Sequence, residues 1–243
     1  MARFVLVHGA FSGAWGWEPL IGPLEAKGHT VEAFDLPGSG EDQTPAAEVG
    51  IAAYADKICS VLGERPEKAV LVGHSMGGMP ITQAGVNCPD RLAAMVYVTA
   101  FLPQDGQNLI GLTELPEGEG DMVQANVVPD GDPPVTLTMP DEASREAFFN
   151  CCTDEIADWA IAGQRPQPFS AFVEPVSIPD GAFDEIPRHY VRCLKDNSVR
   201  PALQKRMLET AGIESVVELD TDHSPQLSMP AELAEALDGF ARA

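Results

Sequence analysis

Short, unbroken apolar runs alternate along the chain with stretches in which apolar residues return every three or four positions. A run without polar alternation fits a strand buried on both faces, and alternation of such runs with helices marks a parallel sheet built from βαβ units. The pattern predicts strands at 4–7, 31–34, 69–72, 94–98, 189–193 and 215–219. Between the second and third, Ile51, Tyr54, Ile58, Val61 and Leu62 recur at helical spacing, which predicts one amphipathic helix over 46–62. Helices are also predicted over 76–86, 201–210 and 230–241. Pro201 and Pro230 suit a first helical turn, where no amide hydrogen is needed.

The alternation breaks between residues 101 and 184. Prolines are dense there, acids outnumber bases, and a structureless loop of that length is improbable inside a compact domain. Phe148, Phe149, Trp159, Phe169 and Phe172 give the segment apolar surface to bury. It is therefore expected to be a cap inserted over one end of the sheet, in a single domain of residues 1–243 whose core is 1–100 and 185–243.

Composition narrows the partners. The 243 residues are 44% hydrophobic with a formal net charge of -22, and such an acidic surface repels nucleic acid and anionic membranes. No apolar stretch approaches the roughly 20 residues needed to span a bilayer. The opening "MARFVLVHGAF" reaches His8-Gly9 too soon for a signal-peptide core. Cys59, Cys88, Cys151, Cys152 and Cys193 are odd in number, scattered and without CxxC spacing. They are read as reduced thiols of a cytoplasmic protein, with neither a disulfide framework nor a zinc site.

One contiguous stretch carries chemistry. In "AVLVGHSMGGMP", residues 73–77 read G-x-S-x-G between a predicted strand and a predicted helix, the context in which this motif holds an exposed serine nucleophile. The helix start behind Ser75 favours developing negative charge. A serine hydroxyl needs a base, and the base needs a carboxylate to orient it. Of five histidines, His223 alone falls in a loop after the last predicted strand, at the sheet edge where catalytic groups of open α/β sheets gather. His8 and His74 flank turns; His29 and His189 border strands. The order serine, acid, histidine selects Asp196, just past the preceding strand. Asp220 and Asp222 lie too close to His223 along the chain, and the alternative position after strand 94–98 offers only Thr99 and Ala100. The oxyanion donors expected are the backbone amides of Met76, directly after the serine, and Ala10, in the turn after the first strand.

These residues resemble the α/β-hydrolases, and within them the plant methylesterase and hydroxynitrile lyase group with its bacterial esterase relatives. "FVLVHGAFSGAWGWEPL" looks like that group's opening strand and oxyanion turn, "LVGHSMGGM" its elbow, and "YVRCLKDNSVRPALQKRM" and "DHSPQLSMPAELAEAL" its acid and histidine segments. The resemblance implies an α/β-hydrolase fold with the triad Ser75, Asp196 and His223, and Phe101 in the acyl pocket; Trp159 of the cap is expected to join it. The lyase branch carries a threonine and a lysine where this chain has Ala10 and Ser224, so the esterase branch fits better. The expected activity is hydrolysis of a small uncharged carboxylic ester, without cofactor or metal. Cyanohydrin cleavage, carbon-carbon bond hydrolysis and non-catalytic ligand binding stand as alternatives. Whether the chain stands alone or pairs as a homodimer is left open.

Overall fold

A computed structural model describes residues 1–183 and 185–242; Asp184, the expected end of the insertion, and Ala243 lie outside the described residues. The strands are β1 (Arg3–Val7), β2 (Thr30–Ala33), β3 (Ala69–His74), β4 (Leu92–Val98), β5 (Val128–Asp130), β6 (Thr136–Thr138), β7 (Gln167–Pro168), β8 (Arg188–Cys193) and β9 (Val216–Leu219). The helices are α1 (Glu18–Glu25), α2 (Ile51–Gly63), α3 (Gly78–Asn87), α4 (Leu109–Thr113), α5 (Met122–Asn126), α6 (Asp141–Phe148), α7 (Asp154–Gly163), α8 (Ser170–Val173), α9 (Pro201–Ala211), α10 (Pro225–Ser228) and α11 (Pro230–Phe240).

Six strands form one sheet in the order β2-β1-β3-β4-β8-β9, every neighbouring pair parallel. Successive side chains of a strand point to opposite faces. Phe4, Leu6, Val70, Val72, Val96 and Val98 therefore pack with Leu20 and Leu24 of α1 and Leu233 and Leu237 of α11. Val5, Val7, Leu71, Met95 and Tyr97 turn the other way, toward Ile58 and Leu62 of α2 and Ile81 and Ala84 of α3. Burial on both faces is why these strands read as unbroken apolar runs. The chain leaves β1 to one side for β2 and returns on the other side as β3, so a crevice opens beyond the carboxyl ends of β1 and β3, where open α/β sheets bind ligands.

The segment between β4 and β8 contains α4 to α8 and a small antiparallel sheet, β5-β6-β7. Its Phe148, Phe149, Ala157 and Phe172 share the core of Val5 and Tyr97.

Two expectations are corrected. The helix over 46–62 is broken: a 3-10 turn spans Ala46–Glu48, Val49 and Gly50 are extended, and α2 begins at Ile51. The inserted segment holds that break, since Glu174 accepts from the Ile51 amide at 2.7 Å and Ser170 Oγ donates to the Val49 carbonyl at 2.5 Å. The cysteines are not all reduced thiols. Cys59 of α2 and Cys88, at the end of α3, form a disulfide across 29 residues with Cα atoms 6.0 Å apart. Packing of α2 beside α3 brings them together, which no local spacing could signal. Cys151, Cys152 and Cys193 are free. Disulfides belong mainly to oxidising compartments, so this bond removes the support that the cysteines lent to a cytoplasmic location. Among the described residues no helix is long and apolar enough to cross a membrane.

Candidate active site

β3 runs into Ser75 without slack. Ser75 has φ 55, a left-handed conformation that costs a non-glycine residue about 1–3 kcal/mol. The turn survives because neighbouring backbone closes on it. A Cβ on Gly77 would stand 2.7 Å from the His8 carbonyl oxygen and 2.9 Å from that of Val7, and a Cβ on Gly9 would stand 2.8 Å from Ser75 Cβ. The Ser75 carbonyl accepts from the Phe101 amide at 3.1 Å, which ties the segment after β4 to the turn.

His223 lies in the loop between β9 and α10 and is 2% exposed. Its Nδ1–H donates to Asp196 Oδ2 at 2.7 Å, which leaves the Nε2 lone pair as the basic site. Asp196 is fully buried. Its Oδ1 accepts from the Ser198 amide at 2.7 Å, and Thr99 Oγ1 donates to Oδ2. These donors leave the buried carboxyl few other orientations and hold it in place against His223. Asp222, set aside because of its closeness in sequence, is also fully buried but serves the loop: it accepts from the amides of Cys151 (2.8 Å) and Ser224 (3.1 Å) and from Ser228 Oγ (2.8 Å).

Two further histidines support the site. His74 Nε2–H donates to the His223 carbonyl at 2.7 Å, with ring centroids 4.7 Å apart. It thus tethers the histidine loop to the serine turn. Burial pushes the His74 imidazole well below its ordinary range, and nearby His223 adds to the effect. His8 is likewise lowered by burial. Its Nε2 accepts from the Leu36 amide at 3.1 Å, so Nδ1 carries the proton and donates to the Gly9 carbonyl at 2.8 Å. Because C=O and N–H point oppositely across a trans peptide, this grip orients the Ala10 N–H. The next amide, of Phe11, reaches Gln167 Oε1 at 3.3 Å.

Ser75, His223, Ala10, Met76 and Phe101 all line one cavity of about 320 Å³ at the crevice between β1 and β3. Phe11, Leu137, Phe148, Phe149 and Phe172 make most of its wall apolar. The expectation for Trp159 is corrected: it is 42% exposed and stands outside the lining. α7 turns Ala157 and Ala160 inward, which sends Trp159 to the surface, edge-on to the cavity-lining Trp15 with centroids 5.2 Å apart. Asp121, which the sequence did not single out, does line the cavity. No group of three histidine, cysteine or acidic side chains among the described residues is arranged to hold a metal ion. Thr99 and His74 were equally missed; their only sequence signal was position, at the strand end and beside the serine.

Comparison with known proteins agrees with this architecture. Salicylic acid-binding protein 2 of Nicotiana tabacum is 30% identical over 250 residues, covering 97% of this chain and 95% of that protein. Putative methylesterase 11, chloroplastic, of Arabidopsis thaliana is 30% identical over 249 residues; the match takes in 99% of this chain, which spans only 64% of that relative's length. The crystal structure of a pyrethroid hydrolase from Sphingobium faniae superposes with a TM-score of 0.87 at 27% identity, over 100% of this chain and 98% of that one. Residues 4–236 match the Alpha/beta hydrolase family; with the match running from β1 into the last helix, and the parallel sheet delivering its serine turn to the crevice, the chain is a member of that family.

Proposed function

We propose that this chain hydrolyses small, uncharged carboxylic esters through an acyl-enzyme on Ser75. The observation that carries the reading is the buried His223–Asp196 pair, which opens into the same apolar cavity as the left-handed Ser75. Relatives described as a methylesterase and a pyrethroid hydrolase support ester cleavage.

His223 Nε2 takes the Ser75 proton as Oγ attacks the ester carbonyl. Developing imidazolium charge is stabilised by Asp196. The oxyanion accepts from the amides of Met76 and Ala10, and such donors act strongly where water is excluded. His223 returns the proton to the departing alcohol; water, deprotonated by the same nitrogen, then releases the acid. The insertion between β4 and β8 acts as a cap, supplying Phe148, Phe149 and Phe172 to the dry wall. Ala10 and Ser224 both line the cavity, and no lysine or arginine does so among the described residues. A leaving cyanide would find no cation there, which favours ester hydrolysis over cyanohydrin cleavage.

The test is turnover of a nitrophenyl ester together with labelling by a fluorophosphonate. Ser75→Ala is expected to lower turnover by several orders of magnitude and to abolish labelling. Wild-type rate in the variant would overturn the serine mechanism, and an unlabelled, inactive wild type would favour a ligand-binding role.

A further inference from the structure

The largely apolar cavity around Ser75 and His223 contains one acidic side chain. Among the described residues Asp121 is the sole carboxylic acid that lines it, with no lysine or arginine to balance the charge. The residue is 6% exposed, and a carboxylate so placed is costly unless something answers it. Part of the answer is local. Asp121 precedes α5, and Oδ1 accepts from the amides of Val123 (2.7 Å) and Gln124 (3.2 Å). Capping a single five-residue helix accounts for that one oxygen. Oδ2 has no protein partner among the described residues.

The start of α5 is also tied to the loop that carries the acid, and its Asp121 lines the same cavity as Ser75 and His223. The Met122 amide donates to the Asn197 carbonyl at 2.9 Å, which fastens the start of α5 to the loop that carries Asp196. Burial raises the Asp121 carboxyl to about 6; neighbouring Asp196 pushes the same way, while the two capping amides and His223 oppose. At neutral pH the group is thus ionised but poorly compensated, with one acceptor oxygen unspent.

We propose that Asp121 is a specificity-determining residue, whose free oxygen selects esters carrying a hydroxyl or protonated amine near the scissile carbonyl and disfavours anionic ones. The proposal rests on the hydrolase reading of the same cavity and widens its substrate class from uncharged esters to those that carry a cationic group beside the ester. An O–H or N⁺–H reaching Oδ2 forms a charge-assisted hydrogen bond, equivalent to about 10- to 100-fold in kcat/KM. The same oxygen opposes retention of the carboxylate that hydrolysis produces, since that product meets a like charge in a cavity without a cation.

The experiment compares methyl phenylpropanoate with its β-hydroxy and β-amino derivatives at neutral pH. The proteins are the wild type and Asp121→Asn, which keeps a capping acceptor and the side-chain shape. The wild type is expected to favour the β-amino ester over the parent by about tenfold or more. Asp121→Asn is expected to lose that preference and to bind phenylpropanoate more tightly as an inhibitor. An unchanged ratio between the two esters in Asp121→Asn overturns the proposal. Should the asparagine variant fail to fold, Asp121→Ser, another capping residue, replaces it under the same criteria. Binding of the corresponding amides to Ser75→Ala, with and without Asp121→Asn, separates the two ideas. If the wild type cleaves no ester, the hydrolase reading falls. Calorimetry still decides Asp121: a β-amino preference that disappears in the double variant supports it, and a preference that persists or never exists overturns it.

Discussion

Thr99 offers a sharp test of how the acid is held. The residue is fully buried at the end of β4, its amide donates to the Val191 carbonyl at 2.8 Å, and its hydroxyl donates to the Asp196 oxygen that also receives His223. Thr99→Val keeps the branched shape and removes that donor. Gln204 Nε2 stands 3.5 Å from the same oxygen, too far to replace it fully. A hydrogen bond to a buried charged acceptor contributes about 1.5–3 kcal/mol. At about 2–4 °C per kcal/mol for a chain of this size, Tm should fall by about 3–12 °C. His223 keeps its own bond to Asp196, so turnover of a nitrophenyl ester should drop by about tenfold or less, against roughly four orders of magnitude for Asp196→Asn. Thr99→Ser, which retains the hydroxyl, is the control. Thermal and urea unfolding of the three proteins provide the measurement. If Thr99→Ser unfolds as early as Thr99→Val, the hydroxyl is not what stabilises this corner, and the reasoning fails.

Gly77→Ala should destabilise the chain by about 1–3 kcal/mol and depress turnover, because its Cβ meets the backbone oxygens of Val7 and His8; wild-type unfolding in urea would contradict the close approach. Alkylation of the denatured chain without reductant should modify three thiols and spare Cys59 and Cys88, as mass spectrometry will read; five modified thiols would refute the disulfide. Asp121 makes stability depend on pH with a definite sign. Its carboxyl is raised from 3.8 to about 6 in the folded chain, so the unfolded chain ionises first and the penalty on folding builds up between those values. The interval corresponds to at most about 3 kcal/mol. Asp121→Asn should therefore gain stability relative to wild type as pH rises from about 4 to 7, and a difference that does not change with pH would refute it.

Much of the fold was legible because its signals are local. Both faces of β1, β3 and β4 are covered, so their side chains are uniformly apolar, and each predicted strand overlaps an observed one. The helix predicted over 46–62 failed at Val49-Gly50, where Ser170 and Glu174 of the insertion hold the backbone open. Nothing within those residues reports a partner more than a hundred positions away. The inserted segment itself was opaque for a related reason. Its helices and strands are mostly too short to establish a period, and only its aromatic residues indicated that it packs at all. Composition identifies Trp159 as an apolar side chain without giving its direction; the turn of α7 sends it to the surface.

By itself the sequence determined the βαβ core, the serine turn, and the order in which an acid and a histidine follow it. Those are properties of contiguous residues: periodicity, and a Gly-His-Ser-Met-Gly turn that only small neighbours allow. Tertiary structure alone decided that Cys59 meets Cys88, that Thr99 reaches Asp196 across 97 residues, and that His74 grips the loop of His223 across 149. It also decided that Asp121 lines the cavity. These depend on how separate segments pack, and a hydroxyl, a thiol or a lone carboxylate has the same local sequence signature whether it faces solvent or a buried partner.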